Sequence, residues 1–184
     1  MADEQLYERV AGERRRLRQV RQALTAATAQ GAQGNPAYVP FYIAIADYFE
    51  AAMHRLHTQD VRMGEMLRAR ADMEKPENLQ AMAELDERLA GNQSHLANML
   101  SARVALKKAG HNALPQFEEA GGAYARYIVE NMGHHPGSTN MAQAFFNADD
   151  WAYMADVSVA DQQRERQLYD AVFKLLPAGL ELPE

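Results

Sequence analysis

Apolar residues recur along this chain at spacings of three, four and seven, the period of a helix, and almost never at spacing two. From 3 to 30 the stripe is Leu6, Val10, Leu17, Val20 and Leu24, and Gly31-Ala32-Gln33-Gly34-Asn35-Pro36 breaks it. A second stripe, over about 38 to 73, carries Phe41, Ile45, Phe49, Met53, Leu56, Met63 and Leu67 and stops at Glu74-Lys75-Pro76. The run Tyr42-Ile43-Ala44-Ile45 has a strand-like composition but belongs to this longer helical period. Pro76 suits the first turn of a third helix through Leu79, Met82, Leu85, Leu89, Leu96, Met99 and Leu100, with Lys107-Lys108-Ala109-Gly110 as a stop. A fourth helix follows Asn112, shows Phe117, Tyr124, Tyr127 and Ile128, and ends at Gly133. Shorter helices are expected from Ser138 to Phe146, after the capping run Asn147-Ala148-Asp149-Asp150, and after Ser158-Val159-Ala160-Asp161. The pattern predicts an all-α fold, an up-down four-helix bundle with a short helical C-terminal extension. At 184 residues it suits one domain, 1–184, with the bundle over about 3–133 and the C-terminal helices over about 138–177.

Each long stripe is interrupted by polar residues. Glu13 stands between Val10 and Leu17, and His57 and Asp60 sit three apart within the second stripe. Asn92 breaks the third stripe beside His95, and Glu130 and His134 follow Tyr127 on the fourth. Antiparallel neighbours retrace each other at about 1.5 Å per residue, so counting outward from the turns puts the four interruptions within about one turn of a common height. A buried layer of carboxylates and imidazoles is costly unless its members pair or hold a metal, and nitrogen and oxygen donors of this kind suit iron, manganese or zinc. Glu13, His57, Asp60, His95, Glu130 and His134 are therefore the candidate ligands. The other account of the same residues is a hydrogen-bonded core network with members that reach solvent at its edges. His54, His111 and His135 are read as exposed or loop residues.

Charge and composition narrow the classes. Lys+Arg 19 against Asp+Glu 25 gives a net charge of -6, which argues against a nucleic-acid surface. The one basic cluster, Glu13-Arg14-Arg15-Arg16-Leu17-Arg18, follows Asp3, Glu4 and Glu8 and reads as a solvated helix face. The absence of cysteine removes disulfides, thiolate catalysis, iron-sulfur clusters and cysteine-bound zinc. No stretch approaches the roughly 18 apolar residues of a membrane span, and the acidic start lacks an apolar leader. A cytoplasmic protein is expected.

Leu56-His57-Thr58-Gln59-Asp60-Val61-Arg62-Met63-Gly64-Glu65-Met66-Leu67 resembles the second-helix ligand segment of the hemerythrin-like cation-binding family. Phe145-Phe146-Asn147-Ala148-Asp149-Asp150-Trp151 is similar to the ending of that family, where a short polar linker leads into Asp-Trp. The resemblance spans roughly residues 3 to 157. It implies a four-helix bundle holding a pair of irons through histidines and carboxylates, with roles in oxygen binding, sensing or redox chemistry. The departures are equally specific. Glu13 and Arg14 stand where the family has a histidine, the carboxylate after His57 comes one residue early at Asp60, and Glu130 and His134 exchange the family's histidine and glutamate. Only His57 carries over directly, so the site is either rebuilt with carboxylates or lost.

The leading expectation is a non-heme metal protein, di-iron before manganese or zinc, acting on dioxygen or a peroxide, with Tyr127 supporting the ligands. The alternative is a metal-free helical bundle serving as a binding or regulatory module. A heme bundle with Met63 or Met99 as an axial ligand ranks third, since no Cys-x-x-Cys-His attachment exists. A homodimer is compatible with each, and no organic substrate is legible.

Overall fold

The computed structural model describes residues 2–132 and 136–183. Among them are seven α-helices and no strand. They are α1 (Ala2–Gln30), α2 (Tyr38–Arg70), α3 (Pro76–Ala109), α4 (Leu114–Asn131), α5 (Pro136–Phe145), α6 (Ala148–Met154) and α7 (Val159–Lys174), with a single 3₁₀ turn, Gly110–Ala113, between α3 and α4.

Local chemistry sets most of the boundaries. Pro76 and Pro115 lie in the first turns of α3 and α4, where the missing N–H costs nothing. Lys107 and Lys108 occupy the last turn of α3, and Gly110 takes φ +55° beyond it, a conformation that a Cβ would disfavour. Asn147 and Asp150 form a reciprocal capping box at α6, and the Ser158 hydroxyl accepts the Asp161 N–H at 3.0 Å to open α7. α2 ends at Arg70, short of the expected 73, because Ala71 turns extended at ψ 150°.

α3 lies against both α2 and α4, and α1 lies against α4 and α2. Along α2 and α3, Asp47 meets Arg103 while Arg68 meets Asp86, so these helices run in opposite directions. Tyr124 meeting Asn92 and Tyr127 meeting Arg88 reverse α4 against α3 in the same way. The main core joins Val20 and Leu24 of α1, Phe41, Ile45, Phe49 and Met53 of α2, Met99 and Leu106 of α3, and Phe117 and Tyr124 of α4. Each such side chain contributes about 1.5–3 kcal/mol by leaving water. Leu79, expected on the α3 stripe, is 53% exposed instead; Ala81, Met82 and Leu85 bury that end of the helix.

α4 has 18 residues against the 34 of α3, so it covers only part of its neighbour. α5 takes over against α3 and α2, placing Met141 and Ala142 beside Met63, Leu67, Met82 and Leu85 in a second cluster. α7 docks on α2 and α1, with Val172 fully buried and Tyr169 packed edge-on to Tyr48. Among the described residues no helix is long and apolar enough to cross a membrane.

Candidate functional site

The polar residues do not converge on one point. Among the described residues, no group of three or more histidine and carboxylate side chains is placed to hold a metal ion. They separate into three contacts on different helix pairs, with Glu130 exposed on α4. His134 lies outside the described residues.

The first contact is a buried one and carries the most charge. Glu13 of α1 is 3% exposed and meets two guanidinium groups, Arg9 at 3.2 Å and Arg55 of α2 at 3.1 Å. Arg55, itself buried, also reaches Glu165 of α7 in a two-pronged pair, Nε to Oε2 at 2.7 Å and Nη2 to Oε1 at 3.0 Å. Arg9 donates onward to the Ala155 carbonyl at 2.7 Å, at the end of α6. One chain of alternating charges thus ties α1, α2, α7 and the α6 terminus together. Burial alone would lower the Arg55 pKa; the hydrogen bonds and charge of Glu165, with Glu13 adding to them, raise it instead, so the guanidinium stays charged. Tyr48 borders the same group with a buried hydroxyl that has no hydrogen-bond partner among the described residues. Burial, followed by the charge of Glu165, pushes its pKa up and keeps the phenol neutral.

The second contact joins α2 to α3. His57 Nε2 lies 3.1 Å from the Gln93 side-chain amide, and Asp60 lies 3.4 Å from Arg88. The third joins α3 to α4. His95 stacks on Tyr127 with ring centroids 4.6 Å apart, and the Tyr127 hydroxyl donates to the Arg88 carbonyl at 3.0 Å. Beside it the Tyr124 hydroxyl donates to the buried Asn92 Oδ1 at 2.6 Å. Burial is the main reason the Tyr124 pKa is raised, so it acts only as a neutral donor.

This geometry does not fit a metal centred on Glu13. Its two oxygens already face cations, and a metal there would add positive charge within a few ångströms of Arg55, at a place where field screening is weak. Comparison with family models, curated proteins and solved structures finds no match for the chain.

The sequence criterion located Glu13 and Asn92 but passed over their partners. Arg55 falls seven after Tyr48 and three after Ala52, continuing the buried line of α2 that faces α7. Glu165 stands three before Leu168 and seven before Val172, an interruption of the α7 stripe of the same kind as Glu13 in α1. Applied to the last helix, the same rule finds it. The segment Phe145–Trp151 is a helix junction, where Arg70 clamps Asp150 through two hydrogen bonds and Asn147 closes the capping box.

Arg55 and Glu165 also floor a cleft of about 480 Å3 between α2 and the start of α7, edged by His54, Arg62 and Asp161. Its cations are largely engaged: Arg62 bonds the carbonyls of Tyr153 and Asp156. A smaller cleft of about 330 Å3 opens between α1 and α7.

Proposed function

We propose that this chain is a cytoplasmic, metal-free helical-bundle module with a binding or regulatory role, its four principal helices in up-down order and α7 locked onto them by charge. The observation that supports this most is Glu13. The carboxylate that would anchor a metal layer is held between Arg9 and Arg55, and Arg55 is shared with Glu165. A buried guanidinium paired to two carboxylates from two other helices fixes their register, which is the best-attested use of such groups.

A hemerythrin-like di-iron centre acting on dioxygen or peroxide is the second reading. One observation favours it: among the described residues neither His57 Nδ1 nor Glu13 Oε2, both shut off from water, has a hydrogen-bond partner, as unused ligand atoms would not. Thermal unfolding separates the two. A metal held by the native state raises its melting temperature and a chelator lowers it. The module reading expects the same unfolding temperature with chelator, iron(II), manganese(II) or zinc(II), and a lower one for Glu13→Gln in all four conditions. A rise with iron that Glu13→Gln or His57→Ala removes would overturn it.

A further inference from the structure

The arginine run of α1 does more than face solvent. Gly12, Arg15 and Arg16 lie three and four apart on one face of α1, and Arg166, Tyr169 and Asp170 repeat that spacing on α7 across the smaller cleft, which these six residues line. Three guanidinium groups and one carboxylate leave the lining with a formal charge of +2 in a protein whose net charge is -6. Among the described residues, none of Arg15, Arg16 and Arg166 forms an ion pair, unlike Arg55 in the neighbouring cleft. Arg16 carries a second sign of unmet demand. Its Nε is shut off from water and has no acceptor among the described residues. Its Nη1 lies 3.6 Å from where a Gly12 side chain would begin, so the guanidinium folds back over the glycine and a larger residue there would compete for the cleft. The Tyr169 ring, held by its hydroxyl bond to Gln19 at 2.7 Å, supplies a fixed aromatic wall.

We propose that this cleft binds a doubly charged phosphate group, free or as a monoester, between Arg15 and Arg16 of α1 and Arg166 of α7. Arginine suits the task because its planar fork pairs with two phosphate oxygens at once. The cleft volume falls at the small end of ligand sites, matching a phosphate with a modest organic part. It gives the proposed module a ligand, yet shares no residue with the Glu13–Arg55–Glu165 network. Iron binding in the test above would therefore leave this proposal standing, and failure here would leave the metal question untouched.

The test is isothermal titration of the full chain at low ionic strength with inorganic phosphate and, separately, phenyl phosphate, with chloride as control. One site per chain is expected. Arg16→Gln weakens binding about tenfold or more, Arg166→Gln several-fold, and Asp170→Asn tightens it about threefold, while Arg14→Gln, exposed and outside the cleft, changes nothing. Gly12→Leu fills the cleft and abolishes binding without unfolding a helix in which leucine is the better former. Tighter binding of phenyl phosphate assigns the site to monoesters, and equal binding assigns it to the free ion; both support the proposal. It is overturned by no heat from either anion at about 10 mM, some tenfold above a millimolar dissociation constant. It is also overturned if Arg14→Gln weakens binding as much as Arg166→Gln, the mark of a diffuse surface charge.

Discussion

Replacing Arg55 with methionine keeps the length and helix preference of the side chain and removes only the charge and its hydrogen bonds. The structure says where the cost falls. Glu13 retains Arg9, but among the described residues Glu165 has no other cation, and its side chain is 5% exposed. Removing one partner of a buried pair costs about 3–5 kcal/mol, mostly the penalty of leaving the other charge dry and alone. For a slope of roughly 2 kcal/mol per M in urea, the unfolding midpoint of Arg55→Met should fall by about 1.5–2.5 M, read by far-ultraviolet circular dichroism. Total stabilities of about 5–15 kcal/mol leave most of that range measurable. Arg55→Met/Glu165→Leu, which removes both members, should recover much of the loss, because an apolar pair of similar volume replaces a buried ion pair at little cost. The double-mutant cycle should therefore show a coupling of about 2–3 kcal/mol. A drop below about 1 kcal/mol for the single change, the level of a surface ion pair, refutes the reasoning. So does a double variant no more stable than the single one.

Three further outcomes follow from the packing around the remaining contacts. Tyr124→Phe leaves the buried Asn92 Oδ1 without its donor and should cost about 1–3 kcal/mol in the same urea assay; a neutral change would mean that the bond carries no weight. At Gly91 a Cβ would strike the Tyr127 hydroxyl and ring, so Gly91→Ala should destabilise by about 1–3 kcal/mol, although alanine is the better helix former, and Gly91→Ala/Tyr127→Phe should not relieve it fully because the ring carbons also collide. Arg70 and the Asn147 N–H hold the Asp150 carboxyl at about 2, below its ordinary 3.8. Its folded-state value is depressed, so the stability it lends is complete above the ordinary value and is lost as pH falls through about 2. Trp151, the only tryptophan and next in sequence, reports this junction by fluorescence: Asp150→Asn should remove an acid transition centred below pH 3.8, and a wild-type transition centred above that value refutes the assignment.

Much of the helix order was legible because the signals are local. Proline in a first turn, lysines before Gly110, the Asn147–Asp150 box and Ser158 each act within one turn of the chain, and each marks a boundary that the structure keeps. The common height of the polar residues was legible only in part. Glu13 does meet α2 at the level of His57, but it meets Arg55, two residues away, and His57 turns to Gln93 and not to His95. Height along a bundle follows from counting residues; direction around each helix depends on which neighbours it has. The stripe of α7 marks a C-terminal helix but not the helix it docks on, and α7 is the element that pairs with Arg55. Likewise the run from Arg14 to Arg18 reads as solvent-facing, and Arg14, Arg15 and Arg18 are exposed, but only the position of α7 turns Arg15 and Arg16 toward a shared cleft. Leu79 failed for the same reason: period alone does not say where covering helices stop.

The central claim is that charge pairing by Arg9 and Arg55, and not a metal, accounts for the buried Glu13. Iron content after anaerobic reconstitution with iron(II), removal of excess and elemental analysis tests it most directly. The account predicts well under one iron per chain, with wild type, His57→Ala and Glu13→Gln alike. One or two irons per wild-type chain, lost in both variants, would contradict it.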